Sequence, residues 1–327
     1  MEINIRKDEV AISVLIPIYN EEAIIPELYR RIRENVLKIS NSYELIFLND
    51  GSTDNSLFEI ISLTETDLNV FFINFSRNFG HQIAVSAGLD FCKGETVIII
   101  DGDLQDPPEL IPQLYQKHKE GFEVVYAKRS KRKGETWFKK TSAKLFYRIL
   151  NKITKTQIPV DTGDFRLIDK MVVDYLRQMP EQNKFLRGQI AWLGFKQTHI
   201  NYDRDDRKTG KTGYTISKMF GLAMDAITGF SNVPLKLVSR LGFLMSFVSV
   251  LVIIYAIFAH YILERTITGW TSLIICIVFF GGIQLISIGI IGEYISRINQ
   301  NILKRPLYII ESSNLKTANN EDRPTQN

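Results

Sequence analysis

The sequence predicts an α/β protein built on a mostly parallel sheet, followed by amphipathic interfacial helices and a two-helix transmembrane hairpin. Three observations carry that prediction. Short apolar runs alternate with helix-length amphipathic segments over residues 1–128. Two stretches, Leu241–Leu263 and Thr266–Gly292, contain no Asp, Glu, Lys or Arg. A basic segment, 128–155, holds eleven Lys and Arg against one acid, Glu135.

The runs Ile12–Ile18, Tyr43–Leu48, Val70–Phe75, Thr96–Ile100 and Val124–Ala127 have strand length. They are mostly apolar, as strands covered on both faces are. Between them, Ala23–Ile39, Ser56–Thr66, His81–Phe91 and Leu110–Lys119 show helical spacing. Strands separated by helices of this length imply crossover connections and a parallel sheet. Within 135–155, Phe138, Leu145, Ile149 and Ile153 share one helical face, while Lys140, Lys144, Arg148 and Lys152 recur on another. A basic amphipathic helix suits a membrane surface. A second amphipathic stretch, 214–230, puts Ile216, Met219, Phe220, Ala223, Ile227 and Phe230 on one face.

Each uncharged run exceeds the ~20 residues that a helix needs to cross a bilayer core. The expected spans are 241–263 and 267–292, joined at Glu264 and Arg265, whose charges cancel. Lys236 and Arg240 precede the first, and Arg297, Lys304 and Arg305 follow the second. The excess of positive charge at both outer ends places those ends in the cytoplasm. The charged N-terminal MEINIRKDEV has no long apolar region, so the expectation is an unexported N-terminal part. The expected units are a cytoplasmic domain at 1–235, a hairpin at 236–298 and a cytoplasmic tail at 299–327, frayed from Ser312.

Composition excludes several classes. With 327 residues, 45% hydrophobic and 23% charged, the chain is neither disordered nor low in complexity. Two cysteines exclude a disulfide scaffold, and no CxxC or Cys/His cluster argues for zinc. A net charge of +4 is too small to argue for nucleic acid, and no nucleic-acid partner is expected. No GxGxxG follows the first strand, which argues against dinucleotide binding. Gly210-Lys211-Thr212 matches the end of a phosphate-binding P-loop, but Asp205 stands where that loop needs its first glycine.

Ligands of open α/β sheets gather at the C-terminal ends of the strands. Here those ends read Pro17-Ile18-Tyr19-Asn20-Glu21, Asn49-Asp50-Gly51-Ser52 and Asp101-Gly102-Asp103-Leu104-Gln105-Asp106. Asp101 and Asp103 are two apart, so in extended backbone their carboxylates point to one side. Paired hard oxygen donors suit Mg²⁺ or Mn²⁺ and leave coordination positions for a diphosphate. The histidines His81, His118, His199 and His260 show no metal-ligand spacing and read as structural.

These segments resemble glycosyltransferase family 2, more narrowly the dolichyl- and polyprenyl-phosphate sugar (mannose or glucose) synthases. The resemblance extends through Ser76-Arg77-Asn78-Phe79-Gly80, Thr162-Gly163-Asp164-Phe165-Arg166-Leu167, Gly281-Gly282-Ile283-Gln284-Leu285 and Gly292-Glu293-Tyr294. It implies a GT-A catalytic domain and inverting transfer of a sugar from a UDP- or GDP-sugar to polyprenyl phosphate at the membrane. By position it implies that Pro17, Tyr19, Glu21 and Asp50 hold the nucleoside. Asp101 and Asp103, with Gln105, would hold Mg²⁺ or Mn²⁺ on the diphosphate. Asp164 sits where the family has a candidate catalytic base, although an ionised acceptor phosphate needs little deprotonation, so orienting the acceptor or pairing with Arg166 stays open. Arg129 and Arg132 open the basic segment, and Arg207 and Lys211 lie in a polar loop. Arginine forks match phosphate oxygens and a lysine binds them as a point charge, so these four are expected at the acceptor phosphate or the diphosphate.

A processive polysaccharide synthase is the near alternative, but it commonly carries a QxxRW motif and more spans. A transport or scaffold protein is the distant one, and apart from His260 the spans lack the ionisable residues that transport would use. The sugar, nucleotide, polyprenol length and oligomeric state stay open, a homo-oligomer among them.

Overall fold

The computed structural model describes residues 10–129, 162–203, 231, 233–261 and 269–315. Four strands form the parallel heart of one sheet: β1 (Ile12–Ile18), β2 (Tyr43–Asn49), β3 (Val70–Phe75) and β4 (Thr96–Ile99). β1 lies between β4 and β2, and β3 follows β2. The crossovers are α1 (Ile25–Val36), α2 (Ser56–Thr66) and α3 (His81–Phe91). A 3₁₀ turn at Pro108–Leu110 and α4 (Ile111–Lys119) lead into β5 (Val124–Arg129). All five strands and four helices expected here form, within a few residues of their expected bounds.

Strand alternation divides the core between the two faces. Ile12, Val14, Ile16 and Ile18 of β1 face Leu28 and Ile32 of α1 and Ile111 and Leu114 of α4. Leu15 of β1 faces the other side, with Ala84, Val85 and Leu89 of α3. That second layer is completed by α5 (Lys170–Arg177) and α6 (Leu186–Leu193), which bury Val172, Val173, Leu176, Leu186 and Ile190.

Three strands depart from expectation. β6 (Thr162–Asp169) inserts antiparallel between β4 and β5, and β7 (Gln197–Tyr202) pairs parallel with β5. Asp164 is therefore a strand residue, in a segment that the sequence does not mark as a strand. β8 (Ile310–Ser313) closes the far edge, antiparallel to β3, giving the order β7-β5-β6-β4-β1-β2-β3-β8. This corrects the tail expected to fray from Ser312. Ser313 Oγ donates to Phe72 O at 2.8 Å, Phe72 N donates to Asn314 Oδ1 at 2.8 Å, and Leu315 is buried. The segment Ile-Glu-Ser-Ser has no strand periodicity of its own, and the open backbone of β3 supplies the pairing.

Among the described residues, two long helices follow β7: α7 (Val233–Tyr261) and α8 (Trp270–Leu303). Both are long and apolar enough to cross a membrane, and each runs beyond its uncharged stretch at the outer end. Phe243 and Leu285 are 79% and 72% exposed, so these helices hide no core of their own. The end of α8 and the segment after it are tied to the sheet-forming region: Gln182 N donates to Asn301 Oδ1 at 3.1 Å, and Tyr308 OH to Asp90 Oδ2 at 2.9 Å. The amphipathic stretches 135–155 and 214–230 and the tail beyond Leu315 lie outside the described residues.

Candidate active site

The loops after β1 and β2 are stapled to each other. Asn20 N donates to Ser52 Oγ at 3.0 Å, and Thr53 N to Asn20 Oδ1 at 2.8 Å. Glu21 N donates to Ser56 Oγ at 2.9 Å, and Asn55 N to Glu22 Oε2 at 2.8 Å. Tyr19 is held on this platform 48% exposed, with Pro17 buried beneath. Asp50 is buried, and its two oxygens accept Phe79 N at 2.7 Å and Gly80 N at 2.9 Å. Burial raises the Asp50 carboxyl, against the two backbone N–H groups that favour its charge. Gly51 makes this turn at φ 66°, where a Cβ would stand 2.4 Å from the carbonyl carbon of Arg77. Pro17, Tyr19, Glu21 and Asp50 thus lie together where β1 and β2 end.

The second cluster lies where β4 ends. Antiparallel β6 pairs Arg166 with Ile99, and continuing that register by two residues sets Asp164 opposite Asp101. α3 begins at His81 and brings its ring between them. His81 Nε2 is 3.5 Å from Asp101 Oδ1 and 3.2 Å from Asp164 Oδ2. These are ion-pair distances without hydrogen-bond geometry, and both Nε2 and Asp101 Oδ1 are buried without a hydrogen-bond partner. Asp164 is also reached by Arg187 Nε at 2.9 Å, Arg166 Nη2 at 3.2 Å and Gln82 Nε2 at 3.2 Å. Gln82 Oε1 accepts Leu186 N at 3.1 Å, so one amide clamps α3 and α6 around the site.

The charges set one another. Burial would raise the Asp164 carboxyl, but Arg187, His81 and Arg166 outweigh it and hold it well below the usual range. Burial also opposes charge on His81, yet Asp101 and Asp164 raise it to about 9. The Asp101 carboxyl is pushed up to about 6, by burial first, with His81 opposing and Asp106, Asp164 and Asp103 adding repulsion. A carboxylate so crowded by acids, with an unsatisfied buried oxygen, fits a divalent cation.

The structure brings His81, Asp101 and Asp164 together, with ligand atoms within 4.8 Å of one another. Asp103, expected beside Asp101 and Gln105 as a ligand, is not in that group of acids and histidine. Asp103 Oδ1 instead accepts Gln105 N at 3.2 Å, with Leu104 between them at φ 54°. Asp101 is the member common to both donor sets. His81, read from the sequence as structural, faces the two acids, and Arg187 and Gln82 were not singled out at all. The Asn-Phe-Gly-His end of β3 was a readable signal, because it is another strand end running into a helix N-terminus. Asp164 does pair with Arg166. Arg129 ends β5, in register with Tyr202, whose hydroxyl donates to the buried Asp106. Arg132, Arg207 and Lys211 lie outside the described residues.

The sequence profile of glycosyl transferase family 2 matches residues 13–177. The uncharacterized glycosyltransferase YkcC of Bacillus subtilis (strain 168) is 50% identical over 301 residues, covering 92% of this chain and 93% of that protein. A prophage bactoprenol glucosyl transferase homolog of Escherichia coli (strain K12) is 40% identical over 300 residues, covering 92% and 98%. The bactoprenol glucosyl transferase of Shigella phage SfV is 38% identical over 305 residues, covering 93% and 99%.

Proposed function

The chain belongs to glycosyl transferase family 2, and on that premise we propose that it moves a sugar from a nucleotide sugar to polyprenyl phosphate at a membrane surface. What supports this reading most is the 38–40% identity to proteins named for bactoprenol glucosyl transfer, over lengths that cannot leave out both apolar helices. Glucose is therefore the first sugar to test.

In this reading a phosphate oxygen of the acceptor attacks the anomeric carbon. The bond from that carbon to the diphosphate breaks on the opposite face, inverting the configuration and releasing the nucleoside diphosphate. Pro17, Tyr19, Glu21 and Asp50 form the nucleoside side, Asp50 through the turn it clamps. Asp101 and Asp103, with Gln105, would hold Mg²⁺ or Mn²⁺, which would neutralise charge on the leaving diphosphate. Arg129, Arg132, Arg207 and Lys211 are assigned to the acceptor phosphate and the diphosphate.

Asp164 has a different task from a general base. Its charge is already stabilised by two guanidinium groups and an imidazole, which makes it a weak proton acceptor. An ionised phosphate needs no base. Asp164 instead orders Arg166, Arg187 and His81 around the reacting centre, where fixed positive groups favour developing negative charge. α7 and α8 cross the membrane with the sheet and the C-terminus on the cytoplasmic side, so a lipid-tailed acceptor meets a water-soluble donor at the interface.

Purified protein incubated with polyprenyl phosphate, Mg²⁺ or Mn²⁺, and a panel of UDP- and GDP-sugars tests the proposal. Mass spectrometry should find the lipid phosphate heavier by one hexose with one donor. No adduct with any donor would overturn it.

A further inference from the structure

We propose that Glu311, in the strand that follows the apolar helices, is a positioning residue for the donor-nucleoside loops. The proposal rests on the donor-site reading above and adds a residue far outside the part of the chain that carries those loops.

Asn49 pairs in register with Asn74 across β2 and β3, and Asn74 with Ser312 across β3 and β8. Their side chains join into one relay. Asn74 Nδ2 donates to Glu311 Oε2 at 3.0 Å. Asn49 Nδ2 donates to Asn74 Oδ1 at 2.7 Å. Ser52 Oγ donates to Asn49 Oδ1 at 2.5 Å, and Asn20 N donates to Ser52 Oγ at 3.0 Å. Every donor points the same way, toward the carboxylate. The chemistry dictates this order. An ionised Glu only accepts, so Asn74 must present its amide nitrogen, which turns its oxygen to Asn49, whose oxygen then faces Ser52. Bonds chained in one direction polarise and strengthen one another.

Asn49 and Asn74 are 1% and 5% exposed. Buried amides are costly unless satisfied, and plain strand packing would favour apolar residues at both positions. Nor does β8 need Glu311 for attachment, because Ser313 and Asn314 already bind the backbone of β3 through Phe72. The relay ends at Asn20, a non-glycine residue at φ 55° between Tyr19 and Glu21. Asparagine tolerates that region better than most side chains, and the bonds to its N–H and Oδ1 select it here. Ser52, which takes the Asn20 N–H, is aimed by Asn49 and, through Asn74, by Glu311. Beside the Thr53–Asn20 and Glu21–Ser56 bonds, the aim of Tyr19 and Glu21 thus depends on a strand that arrives only after the chain has passed through α7 and α8.

The test is calorimetric titration of UDP and of GDP, with Mg²⁺ or Mn²⁺, into the full-length protein. Glu311→Ala should weaken nucleotide binding by about tenfold, the equivalent of one charge-assisted hydrogen bond. Glu311→Gln, whose amide oxygen can accept the same bond, should stay within about twofold of the parent. Ser313→Ala, which weakens β8 outside the relay, should lower Tm and leave the Kd unchanged. Unchanged binding in Glu311→Ala, no rescue by Gln, or an equal loss in Ser313→Ala would each overturn the relay while leaving the donor site standing. A parent protein that binds neither nucleotide would overturn the donor-site reading and the relay with it.

Discussion

The two halves of the site handle polarity in opposite ways. Where β4 meets β6, full charges face one another: Asp101 and Asp164 against His81, Arg166 and Arg187. Where β1, β2 and β3 end, carboxylates are met by neutral donors: Asp50 and Glu22 accept backbone N–H groups and Glu311 accepts an amide, with further amides and hydroxyls between. Neutral contacts fix shape without a strong field, which suits a nucleoside that must be recognised and released. Buried charges are costly to assemble and are worth keeping where charge moves during a reaction. On the proposed function, donor recognition falls to the neutral half and the chemical step to the charged one.

The largest expected effect comes from breaking the charged half. Asp164→Ala strips Arg166, whose side chain is 6% exposed, of its carboxylate partner. Leaving a buried charge unpaired costs about 3–5 kcal/mol, read from the urea midpoint. Asp103→Asn comes next. It keeps the shape but weakens a hard-cation ligand, so metal-dependent binding of the nucleoside diphosphate should fall at least the ~10–100-fold typical of disturbed metal shells. Normal metal-dependent binding would remove Asp103 from the ligand set and favour His81 and Asp164 beside Asp101.

On the neutral half, Gly51→Ala forces a Cβ against the backbone of Arg77 at φ 66°. It should cost about 1–3 kcal/mol by denaturant midpoint and loosen the turn that Asp50 clamps. A neutral outcome would show that the turn is not rigid. The smallest effect is a pH dependence of the metal-free protein. Folding raises His81 from 6.5 to about 9, so its contribution to stability is complete below 6.5 and is lost as pH rises through about 9. The urea midpoint should decline across that window, and His81→Gln should flatten the decline.

The parallel half of the sheet was legible because its signal is local: an apolar run followed by a helical period, repeated. β6 was not, because Thr-Gly-Asp-Phe-Arg-Leu-Ile-Asp buries Asp164 and Arg166 as well as Phe165 and Leu167, and polar residues in a strand look like a turn until their partners are known. β8 was hidden for a related reason, since its strand state is lent by the edge of β3. In the site, Asp101 and Asp164 could be picked out from strand ends and motif likeness. His81 was signalled only by the strand end that runs into α3, and Arg187 by nothing local, because its meaning comes from α3 and α6 converging on one carboxylate, a contact between residues about a hundred positions apart. The sequence marks 1–235 as the expected cytoplasmic domain, with every segment assigned to the nucleoside inside it. The structure gives it neither β8 nor Glu311.

The division of labour between the halves is tested most directly by Asp164→Asn, which removes the charge and keeps the shape. Nucleoside diphosphate binding, titrated calorimetrically with the divalent cation present, is measured beside sugar transfer to polyprenyl phosphate in the same preparation. The account predicts binding within about twofold of the parent and transfer lower by roughly 10²-fold, the scale of losing one fixed electrostatic element of a reacting centre. Binding that falls in step with transfer, or transfer that does not fall, would contradict it.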